Sequence, residues 1–175
     1  MNSVGASSAR PYFEEITKKR GIKMQKIMFV CTGNICRSAM ADKMLAKKVE
    51  EENLDIEVYS SGTFAENGDY PTSEAIEVME EYGVDLRQHR ATNIRRSNIE
   101  EMDVILCATT NHKNMVLQLY PNLTGQVYTM KEYVGETADG IDISDPWGYD
   151  LAVYRKCATE IEKIIQKIVD KMKNA

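Results

Sequence analysis

No apolar run in this 175-residue chain approaches the roughly 18–20 residues that cross a bilayer, so no membrane-spanning helix is expected. The first residues, MNSVGASSARPYFEEITKKRG, lack the apolar centre of a secretory signal, and the expected location is cytoplasmic. A basic surplus is missing too. Net charge is −5, the wrong balance for a partner of nucleic acid. Histidine is scarce, with only His89 and His112, and the C-x4-C pair of Cys31 and Cys36 has no second ligand pair at zinc spacing. No metal is therefore expected. The nucleotide loops G-x-x-x-x-G-K-[ST] and G-x-G-x-x-G after a strand do not occur. Repeats and low-complexity tracts are also lacking. What remains, at 43% hydrophobic and 28% charged residues, is one globular domain of ordinary composition.

Residues 1–23 read as an extension, with a short amphipathic helix expected from Pro11 to Arg20, and the domain proper as 24–175. From Met24 the elements alternate. Strands are expected at 26–30, 56–60, 104–108 and 126–130. Helices are expected near 38–52, over SEAIEVMEEYG, near 97–102, over TNHKNMVLQLY and over about 150–173. The last of these sets Tyr154, Cys157, Ile161, Ile164, Ile165 and Ile168 on one face. Strands separated by helices predict an α/β fold, a small doubly wound three-layer sandwich on a four-stranded parallel sheet. The ligand of such a fold sits beyond the carboxyl ends of the strands, where Cys31 lies.

Cys31 opens the octet CTGNICRS, a turn from the first strand into the first helix. A loop entering a helix N-terminus directs several backbone N–H groups into one concavity, and the helix dipole adds positive potential there. Thr32, Gly33, Asn34, Ile35, Cys36 and Ser38 form this candidate oxyanion loop, with Gly33 expected to supply its unusual dihedrals. Arg37 supplies a planar fork for two oxygens of a tetrahedral anion. Such surroundings favour a thiolate, which makes Cys31 a nucleophile aimed at phosphorus, with Ser38 able to donate to its sulfur. A departing oxygen needs a proton, and SDPWGYD offers Asp145, stiffened by Pro146, with Trp147 and Tyr149 as an aromatic wall. Asp142 and Asp150 compete for the same role. Cys107 and Cys157 read as buried core thiols. LRQHRATNIRR gathers Arg87, Arg90, Arg95 and Arg96, either as a solvated face or as a rim that attracts anions.

With CTGNICRS at the end of the first strand, YSSGT after the second, HRAT at 89–92 and DPW late in the chain, the sequence resembles the low-molecular-weight protein-tyrosine phosphatases over about residues 25–172. The resemblance implies Cys31 as nucleophile, Arg37 as phosphate clamp and Asp145 as general acid, then base. It implies a loop-shaping network of Asn34, Ser38, Ser60 and His89, and a protective disulfide between Cys36 and Cys31. No cofactor is implied. MKEYVGE and DPWG look like the bacterial branch that includes protein-arginine phosphatases, where threonine stands at the position of Ile35. Ile35 is what the tyrosine phosphatases carry, so phosphotyrosine-containing proteins are the expected substrates and phosphoarginine the alternative. A thioredoxin-linked arsenate reductase would need two further cysteines close together, which Cys107 and Cys157 are not. A pseudoenzyme adaptor is disfavoured by the complete set of Cys31, Arg37 and Asp145.

Overall fold

A computed structural model describes residues 24–174; the helix expected over Pro11–Arg20 lies outside the described residues. Strands β1 (Gln25–Cys31), β2 (Ile56–Gly62), β3 (Val104–Cys107) and β4 (Val127–Thr129) form one sheet in the order β2-β1-β3-β4. Every pairing is parallel, with Ile27 opposite both Val58 and Val104. The α/β expectation and its four-stranded sheet are therefore met. β1 is central, and its alternate residues face two separate cores. Ile27, Phe29 and Cys31 pack on one side with α1 (Arg37–Glu52), α2 (Ser73–Glu81) and α5 (Leu151–Lys173). Met28 and Val30 pack on the other with Ile94, Ile99, Met102 and Val116, the last from α3 (Thr110–Leu119). Burial on both faces is why β1 reads as a continuous apolar run instead of an alternating one.

From β1 the chain moves outward to β2 and then crosses back to β3. The strand order reverses at the carboxyl end of β1, which makes the crevice there the natural ligand site. The long α5 buries Tyr154, Cys157, Ile161, Ile164, Ile165 and Ile168, as its periodicity predicts. Two details differ from expectation. The helix placed near 97–102 is two 3₁₀ turns, Ile94–Arg96 and Ile99–Glu101. The strand read to residue 130 stops at Thr129, because Met130–Val134 is a short helix, α4, closed by a capping box. In it Thr129 Oγ1 accepts from Glu132 N at 3.1 Å, and Glu132 Oε2 accepts from Thr129 N at 2.8 Å. No helix among the described residues is long and apolar enough to cross a membrane.

Candidate active site

The loop from Cys31 to Arg37 is held by its carbonyls. Thr63 N donates to Cys31 O (2.9 Å), Phe64 N to Thr32 O (3.0 Å), His89 Nε2 to Asn34 O (2.7 Å), Thr72 N to Ile35 O (3.1 Å) and Met40 N to Cys36 O (2.9 Å). None of the backbone N–H groups of residues 33–37 donates to an acceptor among the described residues. Carbonyls tied outward and N–H groups left together at the head of α1 make an anion nest. The turn needs one left-handed residue, and that is Asn34 (φ +56°), not Gly33 as expected from sequence. Asn34 suits the position because its short amide bonds locally. Its Nδ2 donates to Ser38 Oγ at 2.8 Å, and its Oδ1 accepts from Thr92 N at 2.9 Å.

Ser38 Oγ lies 2.9 Å from Cys31 Sγ. Asn34 donates to that oxygen, and the hydroxyl's own proton has two acceptors within reach, the sulfur at 2.9 Å and Ser61 O at 3.5 Å. Gly62, beside the loop on β2, is glycine for a steric reason. A Cβ there would stand 2.4 Å from Thr32 O and 2.9 Å from Asn34 N.

Arg37 is 4% exposed, and its Nη1 donates to Ile143 O at 2.9 Å. Its Nε is buried with no acceptor, an unpaired donor at the edge of the nest. Asp145 Oδ2 stands 3.3 Å from Arg37 Nη2, and Asp145 Oδ1 accepts from Trp147 N at 3.1 Å. The carboxylates left open by sequence are thereby separated. Asp142 Oδ1 accepts from Thr110 N (2.7 Å) and Oγ1 (2.9 Å) at the start of α3, and Asp150 caps α5 through Val153 N. Trp147 and Tyr149 are each 63% exposed beside Asp145. Phe64, which sequence reasoning passed over, is exposed next to Thr32 in the same way.

Ser60 does not bond to the loop directly. It donates to the buried Asp42 of α1 (2.7 Å). The Asp42 carboxylate acts electrostatically on His89, which in turn holds Asn34 O. Burial pushes the Asp42 carboxyl up and the His89 imidazole down, so the pair sits toward its neutral forms behind the loop. Cys36 is also anchored from afar: its Sγ lies 3.3 Å from the Tyr154 hydroxyl, and burial raises its thiol to about 11. Cys107 and Cys157 are buried as expected, and burial lifts Cys157 to about 12.

A cavity of about 310 Å³ beside Arg37 is lined by Thr32, Thr63, Phe64, Thr109, His112 and Met115. His112, another residue missed in sequence, bridges Thr32 Oγ1 (2.8 Å) and Thr109 Oγ1 (2.9 Å). A neutral imidazole serves both, one nitrogen donating and the other accepting. Burial, then the charge of Arg37, hold His112 down to about 4. An unfolded histidine binds its proton near 6.5. Between these values the unfolded chain takes up a proton that the folded chain refuses, so stability falls as pH falls from about 6.5 to 4. The loss expected from this one group is roughly 2–3 kcal/mol. Urea denaturation at both ends of that window should show a smaller acid loss for His112→Gln than for the wild type; equal losses would refute the assignment.

The chain was compared with known proteins. A family model described as "Low molecular weight phosphotyrosine protein phosphatase" matches residues 26–175. A protein-arginine-phosphatase of Geobacillus stearothermophilus is 35% identical over 147 residues, which cover 84% of this chain and 95% of the relative. Among solved structures, the YwlE arginine phosphatase, in a cysteine-to-serine variant with a phosphorylated active-site serine, superposes with a TM-score of 0.80 at 31% identity. That match covers 85% of this chain and 96% of the other. A low molecular weight protein tyrosine phosphatase from T. tengcongensis has a TM-score of 0.79 at 38% identity, over 84% of this chain and 99% of the other.

Proposed function

Because the chain belongs to the low molecular weight phosphotyrosine protein phosphatase family, we propose that it hydrolyses phosphotyrosine in proteins through a phosphocysteine on Cys31. One observation carries the chemistry: the N–H groups of residues 33–37 and Arg37 Nε are donors without acceptors among the described residues, in the loop that follows the Cys31 thiol at the end of β1. Leaving a buried donor such as Arg37 Nε unpaired costs about 1–3 kcal/mol, a cost that a bound tetrahedral oxyanion removes.

The Cys31 thiolate attacks phosphorus in line with the ester oxygen. Loop N–H groups and the Arg37 fork hold the three equatorial oxygens, whose charge they stabilise through the transition state. The P–O bond breaks as Asp145 delivers its proton to the departing phenolate oxygen. In the second step the Asp145 carboxylate takes a proton from water, whose oxygen attacks the phosphocysteine. Sulfur leaves as thiolate, eased by the Ser38 hydroxyl at 2.9 Å, and inorganic phosphate is released. Arg37 clamps phosphate while steadying Asp145.

The choice of tyrosine rests on the mouth of the site. Ile35 is half-buried and packs against the core, presenting an apolar side chain where the resemblance implies threonine in the arginine branch. Phe64, Trp147 and Tyr149 add exposed aromatic surface suited to a phenyl ring. A specific observation favours the second reading, phosphoarginine: two of the three relatives described above are arginine phosphatases, and whole-chain likeness leans their way. Such likeness weighs the shared frame and phosphate loop; Ile35 weighs the pocket.

The test is kcat/KM for matched phosphotyrosine and phosphoarginine peptides, with Ile35→Thr alongside. The wild type should prefer phosphotyrosine, and the substitution should shift the ratio toward phosphoarginine by about tenfold. A wild-type preference for phosphoarginine would replace the first reading with the second.

A further inference from the structure

The arginines between residues 87 and 96 are not equivalent. Arg87 is committed to Asp85, with Nε and Nη2 donating to the two carboxylate oxygens at 3.0 and 2.9 Å. Arg90 has no carboxylate partner among the described residues, although Glu66 and Asp69 stand exposed on the neighbouring turn. Its guanidinium instead lies 3.7 Å above the centroid of the Tyr70 ring. Its Nη1 donates to the carbonyls of Arg87 (2.8 Å) and His89 (2.7 Å). A ring on one face and two carbonyls on one edge fix this cation in place and leave its other edge to solvent.

The pair belongs to two segments that are bonded to the phosphate loop. Tyr70 is two residues before Thr72, whose N–H holds Ile35 O at 3.1 Å. Arg90 lies between His89 and Thr92, which bond to Asn34 O and Asn34 Oδ1. The two segments are joined to each other, since Ala91 N donates to Asp69 O and Gly68 N to Ala91 O, both at 2.9 Å. Tyr70 is 68% exposed, so the stacked pair projects from this stitched platform beside Asn34 and Ile35. On a chain of net charge −5, an ordered cation with no carboxylate partner among the described residues, adjoining the segments that hold Asn34 and Ile35, is a candidate recognition element.

We propose that Arg90, held by Tyr70, is a specificity subsite for an acidic side chain near the phosphorylated residue of a protein substrate. The proposal rests on the reading of this chain as a protein phosphatase. The substrate carboxylate forms charge-assisted hydrogen bonds with the open edge of the guanidinium while the phosphoryl group occupies the loop. Because the guanidinium is already ordered, little side-chain entropy is lost when it binds.

The experiment compares peptides identical except for flanking Glu, Ser or Lys, each prepared in phosphotyrosine and phosphoarginine form. With the form that the full chain turns over, the Glu peptide should exceed the Ser peptide by about threefold to tenfold in kcat/KM. Most of the difference should lie in KM, and it should shrink at high salt. Arg90→Gln should bring the ratio close to one, and Arg90→Glu should invert it in favour of the Lys peptide. Such ratios are independent of how much of each variant is folded. An unchanged preference in Arg90→Glu overturns the subsite. Turnover without any acidic preference also overturns it and leaves the phosphatase reading standing. Failure of the wild type on every peptide overturns the phosphatase reading itself.

Discussion

Cys31→Ser should abolish turnover, with a fall in kcat on the order of 10⁵-fold or more, the scale seen when a nucleophile is removed from a covalent mechanism. An alcohol is a far poorer nucleophile than a thiolate near neutral pH, and a phosphoserine, once formed, has an alkoxide to expel in place of a thiolate. The exchange is nearly isosteric at a buried position, and the carbonyl bonds that shape the loop do not involve the sulfur. Thermal stability and phosphopeptide binding should therefore survive, by calorimetry on the same preparation. Residual turnover above about a thousandth of wild type would mean that phosphoryl transfer does not pass through Cys31.

Asp145→Asn should lower kcat for a phosphotyrosine peptide by about 10²–10⁴-fold, the usual contribution of a general acid. The amide keeps an acceptor for Trp147 N and loses the ion pair to Arg37. Since the Asp145 side chain is 51% exposed, that pair contributes at most about 1 kcal/mol to stability, and the fold should be unaffected. The loss should shrink for an aryl phosphate whose leaving oxygen is acidic enough to depart unprotonated. A loss equal for good and poor leaving groups would remove Asp145 from the role. Asp142→Asn serves as the comparison, because its carboxylate is occupied at the start of α3.

Much of this was legible in the chain because local chemistry dictates it. The apolar run into Cys31, the helix-forming segment after Arg37 and the glycine-bearing turn between them specify a strand, a turn and a helix without tertiary information, whereas the loop's final shape also depends on Thr63, Phe64, Thr72 and His89 holding its carbonyls. The capping box of α4 was legible too, as Thr129-x-x-Glu132, but it falls where a strand pattern ends, and the strand reading took precedence. The left-handed residue was misplaced because glycine is the default for positive φ; Asn34 wins because its amide bonds both Ser38 and Thr92. Other partners were out of reach for a simple reason. Tyr154 meets Cys36 across 118 residues and His112 meets Thr32 across 80, and no local spacing encodes such meetings. The difference among Asp142, Asp145 and Asp150 was of the same kind: Asp142 and Asp150 accept bonds at helix starts, and Asp145 faces Arg37.

Gly62 has a consequence for how this enzyme could change. With Thr32 O only 2.4 Å from where its Cβ would stand, β2 and the phosphate loop touch backbone to backbone, with no side chain between them to be trimmed or enlarged. Protein engineers usually retune a pocket by exchanging the side chains behind it; at the Gly62 contact that route is closed. Variation in a lineage of such proteins, or in a laboratory library, would be channelled to the rim, where Ile35, Phe64, Tyr70, Arg90, Trp147 and Tyr149 can be replaced without disturbing the oxyanion nest. Two substrate branches on one unaltered phosphate-binding frame are the natural result of that division.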